Sequence, residues 1–285
     1  NKEGRMTTVA GVPPDAFNND GQLWGMPVYN WQALKKKNYS WWITRLKKNL
    51  KLFDIIRLDH FRALASYWAV PPTEKNARKG EWKKAPGIAF LKEVRKELNG
   101  LPFIAEDLGE IDEDVFTLRD AFGLPGMNVL QFAFGMDMPA NTYIPHHNVI
   151  NSVIYTGTHD NNTTKGWYTA LNAIEKNNLD RYAGSHINEE NVCTWLARLA
   201  YSSVSSIAIL PLQDILELDE RARMNTPAGE GPNWTWRLNK ILLTAAVEKK
   251  LVEWCNVFDR RRDGDTSYAT TSTSLWHNQN EGSHE

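Results

Sequence analysis

Three acidic positions carry the chemistry that this sequence suggests. Asp59 follows the apolar run Asp54-Ile55-Ile56-Arg57-Leu58, and Glu106 follows Pro102-Phe103-Ile104-Ala105. The pair His159-Asp160 follows Ser152-Val153-Ile154-Tyr155-Thr156 and the turn residues Gly157-Thr158. Two carboxyl groups held roughly 5 to 5.5 Å apart can break and re-form a glycosidic bond with retention, one as nucleophile and the other as acid/base. One carboxylate after a strand is ordinarily a helix cap or an ion-pair partner. Here the combination carries the reading. In an extended strand Arg57 shares the face of Asp59, two residues on, and a guanidinium beside a carboxylate favours the charged form. Glu106 closes an apolar stretch, where partial burial would raise its pKa towards the range in which a carboxyl donates a proton near neutrality. Its neighbour Asp107 faces the other way and reads as structural. A glycine before His159 and Asp160 permits a sharp turn, and the two side chains there could hydrogen-bond sugar hydroxyls and stabilise an oxocarbenium-like transition state.

The elements that must position these groups repeat as a short apolar run, an acidic or polar end, a loop and a helix-like stretch. Five strands are expected, at 54–59, 102–107, 128–132, 152–156 and 206–210. Helical periodicity is expected over Ile88 to Leu98, Asp112 to Ala121, Glu189 to Tyr201 and Leu238 to Asn256. Strands alternating with helices imply βαβ units and a parallel sheet, and such folds keep their chemistry at the carboxyl ends of the strands. Five units are too few to close an eight-stranded barrel, so further strands are expected upstream of residue 1. Residues 11–30, rich in Gly, Pro, Asn and Asp, read as a long functional loop. The stretch from Trp31 to Leu52 reads as one amphipathic helix with a basic outer face. Residues 1–262 form the expected catalytic portion, and 263–285, rich in Ser and Thr, read as a disordered tail.

Composition narrows the partners. The 285 residues carry 33 lysines and arginines against 34 acids, a net charge of -1, which gives no electrostatic reason to expect nucleic acid or an anionic membrane. Two cysteines, Cys193 and Cys255, suit neither a disulfide framework nor a zinc site, and a reducing cytoplasm is the default expectation. No run approaches the roughly 20 apolar residues of a membrane span. No cluster has calcium-loop or zinc spacing, so no cofactor is expected. Twelve tryptophans read for the most part as core, with the alternative that several line a carbohydrate cleft, where a flat ring covers the C–H face of a pyranose.

At the motif level the resemblance is specific. Arg57-Leu58-Asp59-His60-Phe61-Arg62, Ala105-Glu106-Asp107-Leu108-Gly109 and Gly157-Thr158-His159-Asp160-Asn161 resemble, in the same order, the three acid-bearing motifs of the amylomaltase or disproportionating-enzyme family, glycoside hydrolase family 77. Gly21-Gln22-Leu23-Trp24-Gly25-Met26-Pro27, Gly123-Leu124-Pro125-Gly126-Met127 and Ala222-Arg223-Met224-Asn225-Thr226-Pro227 extend the resemblance over roughly Val9 to Arg260.

The resemblance implies the carboxyl-terminal part of a (β/α)8 TIM barrel, about strands 4 to 8, without the amino-terminal strands. It implies a 4-α-glucanotransferase that moves α-1,4-glucan segments from a donor glucan to glucose or a maltooligosaccharide, with the upstream part of the domain needed. Asp59 would be the nucleophile, Glu106 the acid/base and Asp160 the holder of the donor sugar's 2- and 3-hydroxyls. Arg57, His60, His159 and Asn225 would contact substrate, and Gln22 and Trp24 would belong to a loop over the cleft. Asn225-Thr226-Pro227-Ala228 departs from the family's Asn-x-Pro-Gly. Two other readings stay open: an α-amylase-type hydrolase with the same acids, and a catalytically incomplete glucan-binding fragment.

Overall fold

The computed structural model describes residues 3–14, 18–109, 111–227, 229 and 231–261. The expected tail lies outside them. Two compact units divide the chain, one comprising the residues up to Tyr155 with Val204–Ile209, the other Thr156–Ser203 with the residues from Leu210 onward.

The first unit opens with strands β1 (Val9–Val12) and β2 (Gln22–Pro27), which pair antiparallel. Residues 11–30 are therefore not one long loop. The turn-forming residues of that stretch lie between two strands, and β2 carries Gln22 and Trp24. The helix expected over 31–52 is two helices, α1 (Trp31–Lys36) and α2 (Ser40–Asn49). Asn38 and Tyr39 break it with left-handed backbone, φ 48° and 54°, a conformation that ends a right-handed helix. Tyr39 is buried, so the break is fixed by packing that residue spacing does not reveal.

Strand β3 (Ile56–Leu58) leads to a short 3-10 turn and then to β4 (Ser66–Val70) and β5 (Glu81–Lys84). Strands β4 and β5 lie outside the five expected strands. They join β1 and β2 in a four-stranded antiparallel sheet ordered β2-β1-β4-β5. Helix α3 (Gly87–Leu98), strand β6 (Phe103–Ala105) and helix α4 (Glu113–Ala121) follow. Next come β7 (Gly126–Val129), β8 (Ser152–Tyr155) and β9 (Ile207–Ile209).

The pairs β3–β6, β7–β8 and β8–β9 are all parallel. The Ala105 N–H donates to the Pro125 carbonyl at 2.9 Å, which links β6 to the chain entering β7. The third strand is displaced from the expected 128–132: it ends at Val129, and Leu130–Phe132 is a 3-10 turn. It begins at Gly126 for a steric reason. A Cβ at that position would collide with the Asp107 carboxylate, so only glycine lets the strand start beside it.

Side-chain alternation explains the burial of both sheet faces. Phe103 and Ala105 join a core with Ile43 and Leu46 of α2, Phe90, Leu91 and Val94 of α3, and Val115 and Leu118 of α4. Ile104 points the opposite way and packs with Met127, Val129, Val153 and Tyr155. Among the described tryptophans only Trp254 is fully buried, and Trp24, Trp41, Trp82 and Trp234 are exposed. Trp31 and Trp42 pack partly buried against the core of α2, α3 and α4, and Trp68 against Val9 and Val70, so the core reading fits these and Trp254 but not the four exposed rings.

The second unit is helical: α5 (Thr164–Ala170), α6 (Ala173–Ala183), α7 (Val192–Ser202), α8 (Leu212–Ile215) and α9 (Ala245–Val257). The last helix starts later than the expected 238, because Asn239 and Thr244 each turn a side-chain oxygen on a following backbone N–H and cap two separate short starts. No described helix is long and apolar enough to cross a membrane.

Candidate active site

Parallel pairing places the first two acids side by side. The register runs Ile56 to Phe103, Arg57 to Ile104 and Leu58 to Ala105, and the Glu106 N–H continues it by donating to the Leu58 carbonyl at 3.0 Å. Asp59 and Glu106 each directly follow the last in-register pair, Leu58 and Ala105, and the two carboxyl groups are near enough for the Asp59 charge to act on Glu106. Two exits of neighbouring parallel strands, whose backbones run roughly 4.8 Å apart, thus bring both acids to one end of the pair.

Their environments differ. Asp59 is open to solvent, its side chain 78% exposed, and its Oδ1 accepts from Arg57 Nη1 at 2.7 Å. Arg57 is steadied on its other side, where Nε lies 3.4 Å from the Met127 sulfur. Glu106 is half-buried, and two backbone N–H groups grip it: Leu108 donates to Oε1 at 3.0 Å and His60 to Oε2 at 2.6 Å. Burial is the largest influence on the Glu106 carboxyl and pushes its pKa up. The Leu108 and His60 N–H groups and Arg57 pull it down, Asp59 pushes it up, and the net result is raised.

Asp107 is the structural neighbour that the alternation predicts. It is buried, accepting from the Met127 N–H at 2.8 Å and from Arg119 Nη1 at 2.6 Å. Its carboxylate thereby ties the end of β6 to the start of β7 and to α4.

His60 meets β2. The Trp24 ring stands edge-on to the imidazole, centroids 4.7 Å apart at 87°, and Trp24 Nε1 donates to Gln22 Oε1 at 3.3 Å. Burial first, then Arg62, push the His60 pKa down to about 4, with Asp59 opposing. The ring is neutral at pH 7. In this unit the structure therefore gathers Arg57, Asp59, His60 and Glu106, and joins Trp24 to them with Gln22 alongside.

The other expected residues belong to the second unit and form a cluster of their own. Asp160 Oδ1 accepts from Asn225 Nδ2 at 2.6 Å, Oδ2 lies 3.4 Å from His159 Nε2, and the Asp160 carbonyl accepts from Arg223 Nη2 at 2.8 Å. Thr158 and Asn161 close the turn through side-chain hydrogen bonds. The His159 ring lies 5.2 Å from that of exposed Trp234.

Three residues escaped the sequence reading. Asp214 is buried and accepts from Thr156 Oγ1 at 2.6 Å and the Thr164 N–H at 2.7 Å, fastening both ends of the segment that carries His159 and Asp160. It lies in α8, beyond Pro211 and past the end of the fifth strand run, so the search for an acid directly after a strand passes over it. Tyr143, whose hydroxyl accepts from the Gly109 N–H at 3.0 Å, and Arg223 act on main-chain atoms and leave no such signal. Among the described residues no group of three or more His, Cys, Asp or Glu comes together as a metal cluster would.

Parallel strands with an ion-paired aspartate and a half-buried glutamate just past adjacent carboxyl ends make an α/β protein with two unlike acids at the strand ends, where such folds keep their chemistry. The family model for 4-alpha-glucanotransferase matches residues 2–244, and the chain belongs to that family. It is 46% identical over 260 residues to the 4-alpha-glucanotransferase of Streptococcus pneumoniae, covering 90% of this chain and 51% of that protein. With the chloroplastic/amyloplastic 4-alpha-glucanotransferase of Solanum tuberosum it shares 48% identity over 238 residues, 84% of this chain and 41% of that one. The amylomaltase of Streptococcus agalactiae, solved in complex with acarbose, superposes with a TM-score of 0.87 at 35% identity, over 92% of this chain and 53% of that chain. The chain thus spans about half the length of these relatives.

Proposed function

We propose that the chain carries the acid pair of a retaining 4-α-glucanotransferase, in the carboxyl-terminal part of a (β/α)8 barrel comprising about strands 4 to 8. The observation that supports this best is the placement of Asp59 and Glu106 just past two paired parallel strands in unlike environments, one exposed and paired with Arg57, the other half-buried with its pKa raised.

In the first step an Asp59 carboxylate oxygen attacks the anomeric carbon of the donor glucosyl unit. The bond from that carbon to the leaving sugar's 4-oxygen breaks, and the Glu106 carboxyl gives that oxygen its proton. A covalent glucosyl ester on Asp59 and a free shortened glucan result. In the second step the acceptor's 4-hydroxyl attacks the same anomeric carbon while Glu106 takes the hydroxyl proton; the bond from that carbon to the Asp59 oxygen breaks, and Asp59 leaves as carboxylate. Asp160 holds the 2- and 3-hydroxyls, with His159 and Asn225 beside it. Arg57, His60, Gln22 and Trp24 complete the substrate contacts, and Trp24 offers an exposed aromatic face to the glucan. Donor and acceptor are α-1,4-glucans and glucose or maltooligosaccharides. A cytoplasmic location suits a bacterial setting; the potato relative is plastidic by its name.

A second reading, glucan binding without turnover, rests on the span of about half the relatives' length. Incubation with maltotriose, followed by chromatography over time, separates the cases. A ladder of longer maltooligosaccharides with glucose supports transfer. Glucose and maltose without elongation would show hydrolysis, and binding of maltoheptaose without products would show the binding-only case.

A further inference from the structure

The contact between His60 and Glu106 is made by main chain. His60 has φ 49° and ψ 54°, the left-handed region, which histidine tolerates better than most residues and β-branched residues scarcely enter. That conformation turns its N–H onto Glu106 Oε2 at 2.6 Å, while the next N–H, that of Phe61, donates to the Glu106 carbonyl at 3.0 Å. Two consecutive amides of the β3 exit thus hold both the side chain and the backbone of one residue at the β6 exit. The imidazole stays neutral and edge-on to Trp24, so the backbone turn is packed beneath the aromatic residue of β2.

We propose that His60 is a positioning residue for the acid/base: its left-handed backbone supplies the N–H that orients Glu106 and tunes its ionisation, a role distinct from any contact of the imidazole with sugar. This rests on the reading of Glu106 as acid/base, but the geometric claim can fail separately. An N–H donor favours the ionised carboxylate, so the His60 and Leu108 amides work against the burial that raises Glu106. The charged and titratable groups around the carboxyl are Arg57 of β3, Asp59 just past it, and Tyr143 from the turn before β8. A substitution at position 60 leaves all three of these side chains in place.

The test uses the full chain, labelled with 13C at the glutamate carboxyl and 15N at the amides, with Glu106 assigned by loss of its signal in Glu106→Gln. In the unaltered protein the His60 and Leu108 amide protons should titrate with the midpoint of the Glu106 carboxyl carbon. His60→Asn, which keeps access to the left-handed region, should hold that midpoint. His60→Val should raise it by about one to two pH units, the scale of one lost hydrogen bond to a charged group. If His60→Val does not fold, the amide titration of the unaltered protein decides alone. A His60 amide proton that does not move through the Glu106 titration, or a His60→Val midpoint equal to that of His60→Asn, overturns the proposal. Coupled titration together with a Glu106→Gln variant that makes transfer products from maltotriose at the unaltered rate would leave the positioning intact and refute the acid/base reading.

Discussion

Replacing Asp107 with alanine should unfasten the frame behind the acid pair. The Asp107 side chain is 4% exposed and holds Arg119 at 2.6 Å and the Met127 N–H at 2.8 Å. Removing one partner of a buried pair costs about 3 to 5 kcal/mol, because the other charge is left behind. Arg119 is 21% exposed and keeps Asp120 at 2.8 Å, which places the loss near the lower end, about 3 kcal/mol. For a urea slope of about 2 to 3 kcal/mol per molar, the midpoint should fall by about 1 M or more. Asp107→Asn, which can still accept from Met127, should lose less than the alanine variant. Equilibrium urea unfolding followed by tryptophan fluorescence measures both. An alanine variant with its midpoint within about 0.3 M of the unaltered protein would show that the Asp107 carboxylate contributes no net stability, and the reasoning from burial would be wrong.

Other perturbations reach the chemistry more directly. Glu106→Gln should slow transfer from maltotriose by about 100-fold to 10,000-fold, and should remove the alkaline limb of the rate profile, since the protonated form of a carboxyl with a raised pKa is the donor and is lost as pH rises. Asp59→Asn should abolish transfer while leaving maltoheptaose binding measurable by calorimetry; turnover at the normal rate would remove Asp59 from its role. For His60, the folded pKa of about 4 lies below the ordinary 6.5, so the unfolded chain takes up the proton first. Stability is lost as pH falls from 6.5 towards 4, by about 3 kcal/mol, and His60→Asn should lose about that much less than the unaltered protein when urea midpoints at pH 7 and pH 4 are compared. Gly126→Ala should destabilise, because its methyl group meets the Asp107 carboxylate.

The legible parts of this protein are those written in side-chain pattern. Apolar runs ending in an acid located β3 and β6 and put Asp59 and Glu106 past strand ends, the apolar run 152–156 located β8, and 3.6-residue periodicity located α3, α4 and α7. Strand β5, Glu81-Trp82-Lys83-Lys84, was silent because it buries neither face and shows no alternation. The break between α1 and α2 depends on left-handed backbone at Asn38 and Tyr39, which the spacing of Leu34, Trp42 and Leu46 does not encode. The grip of His60 and Leu108 on Glu106 is made by backbone N–H groups, which every residue but proline carries, so no residue type announces it. Asp107 shows the opposite case: alternation alone turned it away from Glu106, and the structure finds it buried against Arg119.

The most direct test of the account is chemical. Glu106→Gln protein incubated with α-maltosyl fluoride, whose leaving group needs no proton, should accumulate the first-step ester because the second step lacks its base. Proteolysis and mass spectrometry should then find one maltosyl unit on the peptide containing Asp59. A sugar on a different carboxylate, or no adduct from a protein whose unaltered form elongates maltotriose, would contradict the assignment of Asp59 and Glu106.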